Sequence, residues 1–363
     1  MATSVELFFC GDVMTGRGID QILPTPSEPT LHESYVRDAR DYVELAERES
    51  GAIPRPVDFA YVWGDALAEL RRAAPAARIV NLETAVTRSD DAELGKEVHY
   101  RMHPANVPCL EAFGVDVCVL ANNHVLDWGP RGLLETLDTL HAAKLRTAGA
   151  GRTRAEAEAP AIVDLPDGRR VLVFGVGHAS SGIPPWWAAG DDVPGVALLP
   201  ALGSAESAAL VARVACARRP GDVVVVSIHW GSNWGHEIPD EHVRFAHALV
   251  EGGIDVVHGH SSHHPRPFEI HRGKPIMYGC GDFLSDYEGI HGHEELRDDL
   301  APMYFVRIDR DRPAADVRIV PMHLRKMHVE RGTRDEGELL AHLSRRFGTE
   351  VAVLDDGTLV ARP

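Results

Sequence analysis

DVCVLANNHVLDWG, residues 116–129, decides how this chain is read. Val117, Cys118, Val119 and Leu120 form a short apolar run of the kind a strand buried on both faces presents. The run stops at Asn122-Asn123-His124, three polar side chains that do not continue a core strand. Gly129-Pro130 then opens a stretch with Leu133, Leu134, Leu137 and Leu140 at helical spacing. Strand, polar tip, helix is the unit with which α/β proteins place ligands at the carboxyl ends of parallel strands. An amide oxygen beside an imidazole at such a tip can ligate a metal and handle a proton. The plain alternative for the tripeptide alone is an Asn-rich turn with a surface histidine. Whether other strands end the same way separates the two.

Working outward, they do. Val5 to Cys10 reads as a strand that ends at Gly11-Asp12, and Arg78-Ile79-Val80 leads into Asn81-Leu82-Glu83-Thr84. Asp222 to Ile228 is the cleanest buried strand and ends at His229-Trp230-Gly231; Ile254 to Val257 ends at His258-Gly259-His260-Ser261-Ser262-His263-His264. With Asn123-His124, five expected strands finish in metal-capable tips: Asp12, Glu83, Asn123 with His124, His229, and His260 with His263. A single histidine is more often a solvated or core residue. A ring of carboxylate, amide and imidazole donors at one end of a sheet is a metal centre in a cleft. Mixed oxygen and nitrogen donors suit Mn, Zn or Fe rather than a thiolate site, and two such ions can activate a water and clamp a displacement.

The rest of the chain bounds this reading. At 363 residues it is longer than one hydrophobic core usually serves, so one large domain with insertions, or two domains, is expected. Apolar content of 44% and charged content of 25% are those of an ordinary globular protein. A net charge of −17 excludes a sequence-independent grip on nucleic acid. The first residues carry no basic leader and no run reaches transmembrane length, so a cytoplasmic protein without a membrane anchor is expected. The five cysteines are scattered, with no CxxC pair, and read mostly as reduced core residues. A charged helix over His32 to Glu49 reads as part of an insertion at about 24–57, closed by Pro54 and Pro56. Met303 to Asp309 and Ala315 to Met322 alternate like antiparallel strands, and residues 326–363 read as a small extension: a helix over Glu336 to Phe347 and a hairpin at Asp355-Asp356-Gly357. Ile183 to Ala189, with Trp186 and Trp187, is a candidate rim. Trp230 and Trp234 are further candidates for a pocket wall, with core packing the stronger reading for Trp230.

The ordered set Gly11-Asp12-Val13-Met14, Asn81-Leu82-Glu83, Ala121-Asn122-Asn123-His124 with Asp127 and Gly129, His229-Trp230-Gly231, Gly259-His260 through His263, and Gly281-Asp282-Phe283 spans most of residues 5–310. It resembles the CapA-type family of poly-γ-glutamate capsule synthesis proteins, within the calcineurin-like metallophosphoesterase superfamily. The resemblance implies an α/β fold, a four-layer α/β/β/α sandwich over residues 1–325, with a two-metal site. It makes Asp12, Glu83, Asn123, His229, His260 and His263 the metal ligands, Glu83 bridging. His124 would be the proton donor to a leaving group, with Asp127 fixing its tautomer and raising its pKa. Arg101 and Arg17 would bind an anion at the rim, and Asn122 would help hold the substrate.

Three departures qualify that picture. Met14 stands where the superfamily places a histidine ligand, so His264, His258 or Asp282 becomes a candidate to complete one ion. The final motif is His260-Ser261-Ser262-His263-His264 rather than a His-Pro-His form. Capsule proteins of the family are usually anchored, and no anchor is read here. The expected function is therefore a soluble metal-dependent hydrolase, using a metal-bound water on a phosphoester or a γ-glutamyl-type amide. The expected substrate is a small molecule or peptide-like, and a homo-oligomer is compatible with the sequence. The alternative is a non-catalytic metal-binding accessory protein of polyglutamate assembly.

Overall fold

Alternation along the first strand, Ser4–Val13, sets up the architecture. A computed structural model of the chain describes residues 4–309, 312, 314–345 and 347–361. Leu7 and Phe9 point to one side, where they join Ile79, Val117, Val119, Val173, Val225 and Val256 in a core between two sheets. Phe8 and Cys10 point to the other side, into a core shared with Ile19, Tyr42, Leu110, Leu133 and Leu137 of the covering helices. The second sheet repeats the pattern, with Leu172, Phe174, Val224 and Val226 facing Leu210, Phe245 and Leu249 of two outer helices. Helices, sheet, sheet, helices is the expected four-layer order. Each apolar side chain sealed in these layers contributes ~1.5–3 kcal/mol.

Among the described residues the first sheet has nine strands. Ser4–Val13, Ala77–Leu82, Val117–Val119 and Arg146–Ala148 run parallel. Met303–Asp309 and Asp316–Val320 extend the sheet antiparallel on the other flank. The second sheet has seven strands among the described residues, with Arg170–His178, Val223–His229, Val256–His260 and Lys274–Met277 parallel and Phe268–His271 at the edge. Both sets of parallel strands therefore deliver their carboxyl ends to one side.

Two details aim the first strand at that side. Its first half pairs with Met303–Asp309, but Asp12 and Val13 pair with Asp282–Leu284 instead, and the register shifts between Phe9 and Asp12. Such a bulge re-aims the side chain that follows it. Gly11 permits the switch, because a Cβ there would lie 1.6 Å from the Gly281 carbonyl oxygen. The sheets are joined beneath the tips by a 2.8 Å hydrogen bond between His258 Nε2 and the Cys10 carbonyl.

Several boundaries differ from the sequence reading for identifiable reasons. The insertion helix runs only over Arg40–Ser50. Residues before it are used in a Thr30–Asp38 bridge, and Glu33 turns inward to pair with Arg17 at 2.9 Å. A buried ion pair has overridden helical propensity there. Pro321 splits the expected Ala315–Met322 strand into Asp316–Val320 and Met322–Arg325, since proline cannot donate within a ladder. The C-terminal helix is Arg334–Arg345, starting two residues before the expected Glu336; position 346 of the expected helix lies outside the described residues. The hairpin Val351–Val353 with Leu359–Ala361 adds to the first sheet beside Asp316–Val320. No helix among the described residues is long and apolar enough to cross a membrane.

Candidate metal centre

Asp12, Glu83, Asn123, His229 and His260 converge where the two sets of strand ends meet. Asn81, across from Asp12 in the ladder, donates its amide to Asp12 Oδ1 at 2.7 Å and to Glu83 Oε2 at 2.5 Å. Glu83 Oε1 lies 3.5 Å from His229 Nε2, which also sits 2.9 Å from Asn123 Oδ1. His229 Nδ1 and His260 Nδ1 are 2.8 Å apart, a separation at which two imidazoles share a proton or a cation. Donor atoms of Asp12, His229 and His260 all lie within 4.8 Å of one another. His263 sits beside Asp282, Nδ1 to Oδ1 at 3.1 Å, and Asp282 pairs in register with Asp12.

The electrostatics call for a cation. No lysine or arginine among the described residues makes an ion pair with Asp12, Glu83 or Asp282; histidines partner Glu83 and Asp282 instead. Burial first, then repulsion from Asp282, pushes the Asp12 carboxyl up to about 8. Glu83 is driven up by burial and then by Asp12. His229 and His260 are held well below the usual histidine range, chiefly by burial, so they offer neutral lone pairs. Asp12 Oδ2 is buried with no hydrogen-bond partner. Crowded carboxylates, neutral imidazoles and an orphaned oxygen fit a divalent metal with oxygen and nitrogen ligands.

Beside this group stands His124. Its Nδ1 is 2.7 Å from Asp127 Oδ2, which also accepts a 2.7 Å bond from the Tyr100 backbone, and Tyr100 stacks on the imidazole at 3.8 Å. Asp127 thus fixes the ring as expected. It does not raise the pKa: burial, then the nearby Lys96 ammonium, holds His124 well below its ordinary range. Burial also pushes Asp127 up to about 6. With Nδ1 committed to Asp127, Nε2 is the nitrogen left to meet a substrate.

Lys96 escaped the sequence reading. It arrives on an irregular loop, bonds Asp127 Oδ1 and the Asn123 carbonyl, lies 3.2 Å from His124 Nδ1, and packs 5.1 Å from the Trp187 ring. Nothing periodic marks it in the sequence. Asn81, read only as the end of a strand, was missed as the bridge between two carboxylates.

Other expectations need correction. Arg17 is no rim group: it is 4% exposed and pairs with Asp286 at 2.5 Å and Glu33 at 2.9 Å. Arg101 is equally committed, to the Ser89 carbonyl at 3.0 Å and Asp90 at 3.1 Å, with its guanidinium over Trp128. Asn122 is fully buried; its amide nitrogen bonds Asn81 at 3.0 Å and the Leu82 carbonyl at 2.8 Å, while its oxygen accepts from the His124 backbone. It braces the tips and does not face substrate. Met14 packs into the core under the insertion. His258 spends both nitrogens, on Ser227 and Cys10, and so cannot replace a missing ligand. His264 turns Nδ1 to the Pro265 carbonyl, stacks on Trp234 and keeps a buried Nε2 without a hydrogen-bond partner, while Asp282 stands in register with Asp12 at the centre. Trp230 is wholly buried, Trp234 packs over His263, Trp187 is buried, and the exposed Trp186 bonds Glu93.

Comparison with known proteins agrees with the motif reading. A family model described as bacterial capsule synthesis protein PGA_cap matches residues 6–287. A probable polyglutamine synthesis accessory protein of Mycobacterium tuberculosis is 46% identical over 368 aligned positions, covering 99% of this chain and 96% of that protein. The PGA biosynthesis protein CapA of Bacillus subtilis is 26% identical over 300 positions, 82% of this chain and 67% of that one. Among solved structures, a 5'-nucleotidase precursor from Thermus thermophilus aligns over 92% of this chain with a TM-score of 0.43 and 14% identity; the chain spans about half of it, 55%.

Proposed function

The chain belongs to the bacterial capsule synthesis protein PGA_cap family, and we propose that within it this protein is a metal-dependent hydrolase of a compact anionic phosphoester or γ-glutamyl-type amide. The observation that carries this reading is the clustering of Asp12, Glu83 and Asp282 with neutral His229 and His260, without a lysine or arginine ion pair to these carboxylates among the described residues. Divalent ions bound there, two by the proposal, would supply Lewis acidity toward a phosphoryl or carbonyl oxygen and acidify a water.

The chain's own residues do the rest. Asp12, Glu83, Asn123, His229 and His260 would hold the ions, with His263 and Asp282 as the further donors available where Met14 offers none. Asn81 and Asn122 lock the carboxylate tips so that nothing reorganises when charge develops. His124 presents Nε2 toward the reacting group. In the metal-free protein it is neutral near pH 7, so it first accepts a proton or hydrogen bond there; a proton so gained is the one it can return to a leaving group. Lys96 adds local positive charge beside the histidine, favouring an anionic substrate on a protein whose net charge is −17.

A second reading is favoured by one observation: Met14 supplies no donor, so a single ion held without turnover would make the protein a metal-binding partner in polyglutamate assembly. Elemental analysis by plasma mass spectrometry, with assays on p-nitrophenyl phosphate, its bis-ester and a γ-glutamyl anilide, separates the two. Hydrolysis with bound metal is expected. Glu83→Ala should lose metal, and His124→Ala should keep it while turnover falls ~10²-fold or more. No bound metal, and no activation by manganese or zinc, would overturn the proposal. Metal without turnover would leave the assembly reading.

A further inference from the structure

We propose that His247, Glu269 and His271 form a separate zinc-binding site, clipping the helix Asp240–Glu251 to the edge strand Phe268–His271 of the second sheet. None of these residues belongs to the carboxylate centre. The spacing is what such a site needs. His247 and Glu251 stand four residues apart on one face of the helix, and Glu269 and His271 stand two apart on one face of the strand.

The donors already meet. His247 Nε2 lies 3.0 and 2.9 Å from the two Glu269 oxygens, and His271 Nδ1 lies 3.8 Å from Glu269 Oε1. One donor atom from each of the three falls within 4.8 Å of the others. Zinc bonds of ~2.0–2.1 Å in tetrahedral array put neighbouring ligand atoms about 3.4 Å apart, so the His247–Glu269 contact opens and the His271 ring reorients to admit the ion. The two imidazoles stack at 3.7 Å and 7°, so one ring turns out of the stack for both nitrogens to aim their in-plane lone pairs at a single ion.

The surroundings hold the donors in place. Glu269 is fixed by a 2.7 Å bond from the Tyr278 hydroxyl. The other nitrogen of His271, Nε2, faces Glu251 Oε1 at 3.4 Å, and Arg272 anchors that carboxylate at 2.8 Å. Carboxylate–histidine–metal relays of this kind orient a ligating imidazole and raise its basicity. His247 and His271 side chains are 29% and 20% exposed, so an ion reaches them from solvent, with water filling any remaining position. Two imidazoles and one carboxylate select zinc over magnesium or calcium.

The test uses the full chain carrying Asp12→Asn and His229→Ala to silence the first centre, stripped with chelator and titrated with zinc chloride. About one zinc per chain is expected to remain through gel filtration, with a zinc-dependent rise in thermal midpoint. His247→Gln and His271→Gln should each abolish both, with unchanged circular dichroism. Glu251→Gln should weaken binding ~10–100-fold while leaving one site. Zinc binding that is absent in the background chain, or equal with and without His247, overturns the proposal. Should the background chain fail to fold, the wild-type chain is titrated instead. The count must then drop by about one equivalent in His247→Gln, and an equal count overturns the site.

Discussion

Two buried ionic clusters lie close together in this molecule and are built on opposite principles. Around Arg17, Glu33 and Asp286 supply two carboxylates, and Tyr42, Tyr100 and Tyr287 surround the guanidinium. The chain provides its own cation there. Burial still pushes Asp286 up, but Arg17 pulls against it. Around Asp12, the nearest carboxylates repel, and both burial and Asp282 push the same way. The first cluster carries its own cation and fixes the insertion to the body. In the second, burial and mutual repulsion raise Asp12 and Glu83 together, and a cation from outside would relieve both.

Removing the first cluster's cation should have the largest effect. Arg17→Met leaves Glu33 and Asp286 without a counter-charge and should cost ~3–5 kcal/mol in urea denaturation. A loss below about 1 kcal/mol would show the cluster relaxes without its cation and would break the comparison. Next, Lys96→Gln removes the ammonium from Asp127 and His124. A charged hydrogen bond of ~1.5–3 kcal/mol predicts a fall in kcat/KM of roughly tenfold or more at unchanged metal content. Loss of metal instead would make Lys96 part of the scaffold.

The third prediction concerns pH. In metal-free protein, Asp12 titrates at about 8 rather than near its ordinary 3.8, so the folded chain binds the extra proton between those values. That contribution to stability is fully present at the acid end and is lost as pH rises through about 8. Denaturation midpoints measured across that range should fall, the fall should flatten in Asp12→Asn, and saturating metal should abolish it. A midpoint rising over the same window in the metal-free protein would reverse the assignment. Smallest of all, Tyr287→Phe removes the 2.5 Å hydroxyl contact with Tyr100 at the seam of the two clusters. It should cost ~1 kcal/mol and leave metal content untouched.

Much of this was legible from residues alone, because burial leaves a pattern. Val223–His229 and Val117–Val119 are apolar without interruption, and each stops at a polar tip. Asp12, Glu83, Asn123, His229 and His260 were therefore readable as donors at strand ends. Arg17 was misplaced because a guanidinium looks the same in sequence whether it faces substrate or a buried aspartate far along the chain, and Arg101 because nothing in sequence shows it turned onto Ser89 and the Trp128 ring. Arg17 meets Asp286 across a separation of 269 residues, which no local signal encodes. Lys96 was missed because an irregular loop has no period to read. Asn122 was misread because an amide beside a histidine suits a ligand pocket as well as a brace.

By itself, the sequence determined the inventory of elements and chemistry: which segments are buried strands, which tips are polar, and that the candidate donors are carboxylate, amide and imidazole; the four-layer order came from the family resemblance. Side-chain periodicity and burial are local properties, and they survive without coordinates. Only the tertiary structure decided which charges cancel. It sent Arg17 to Glu33 and Asp286, left Asp12, Glu83 and Asp282 facing one another, brought Lys96 onto Asp127, and placed His247 beside His271 on the far sheet edge. Coulomb interactions depend on distance in space rather than along the chain, so the balance of charge at a site exists only once the fold has closed.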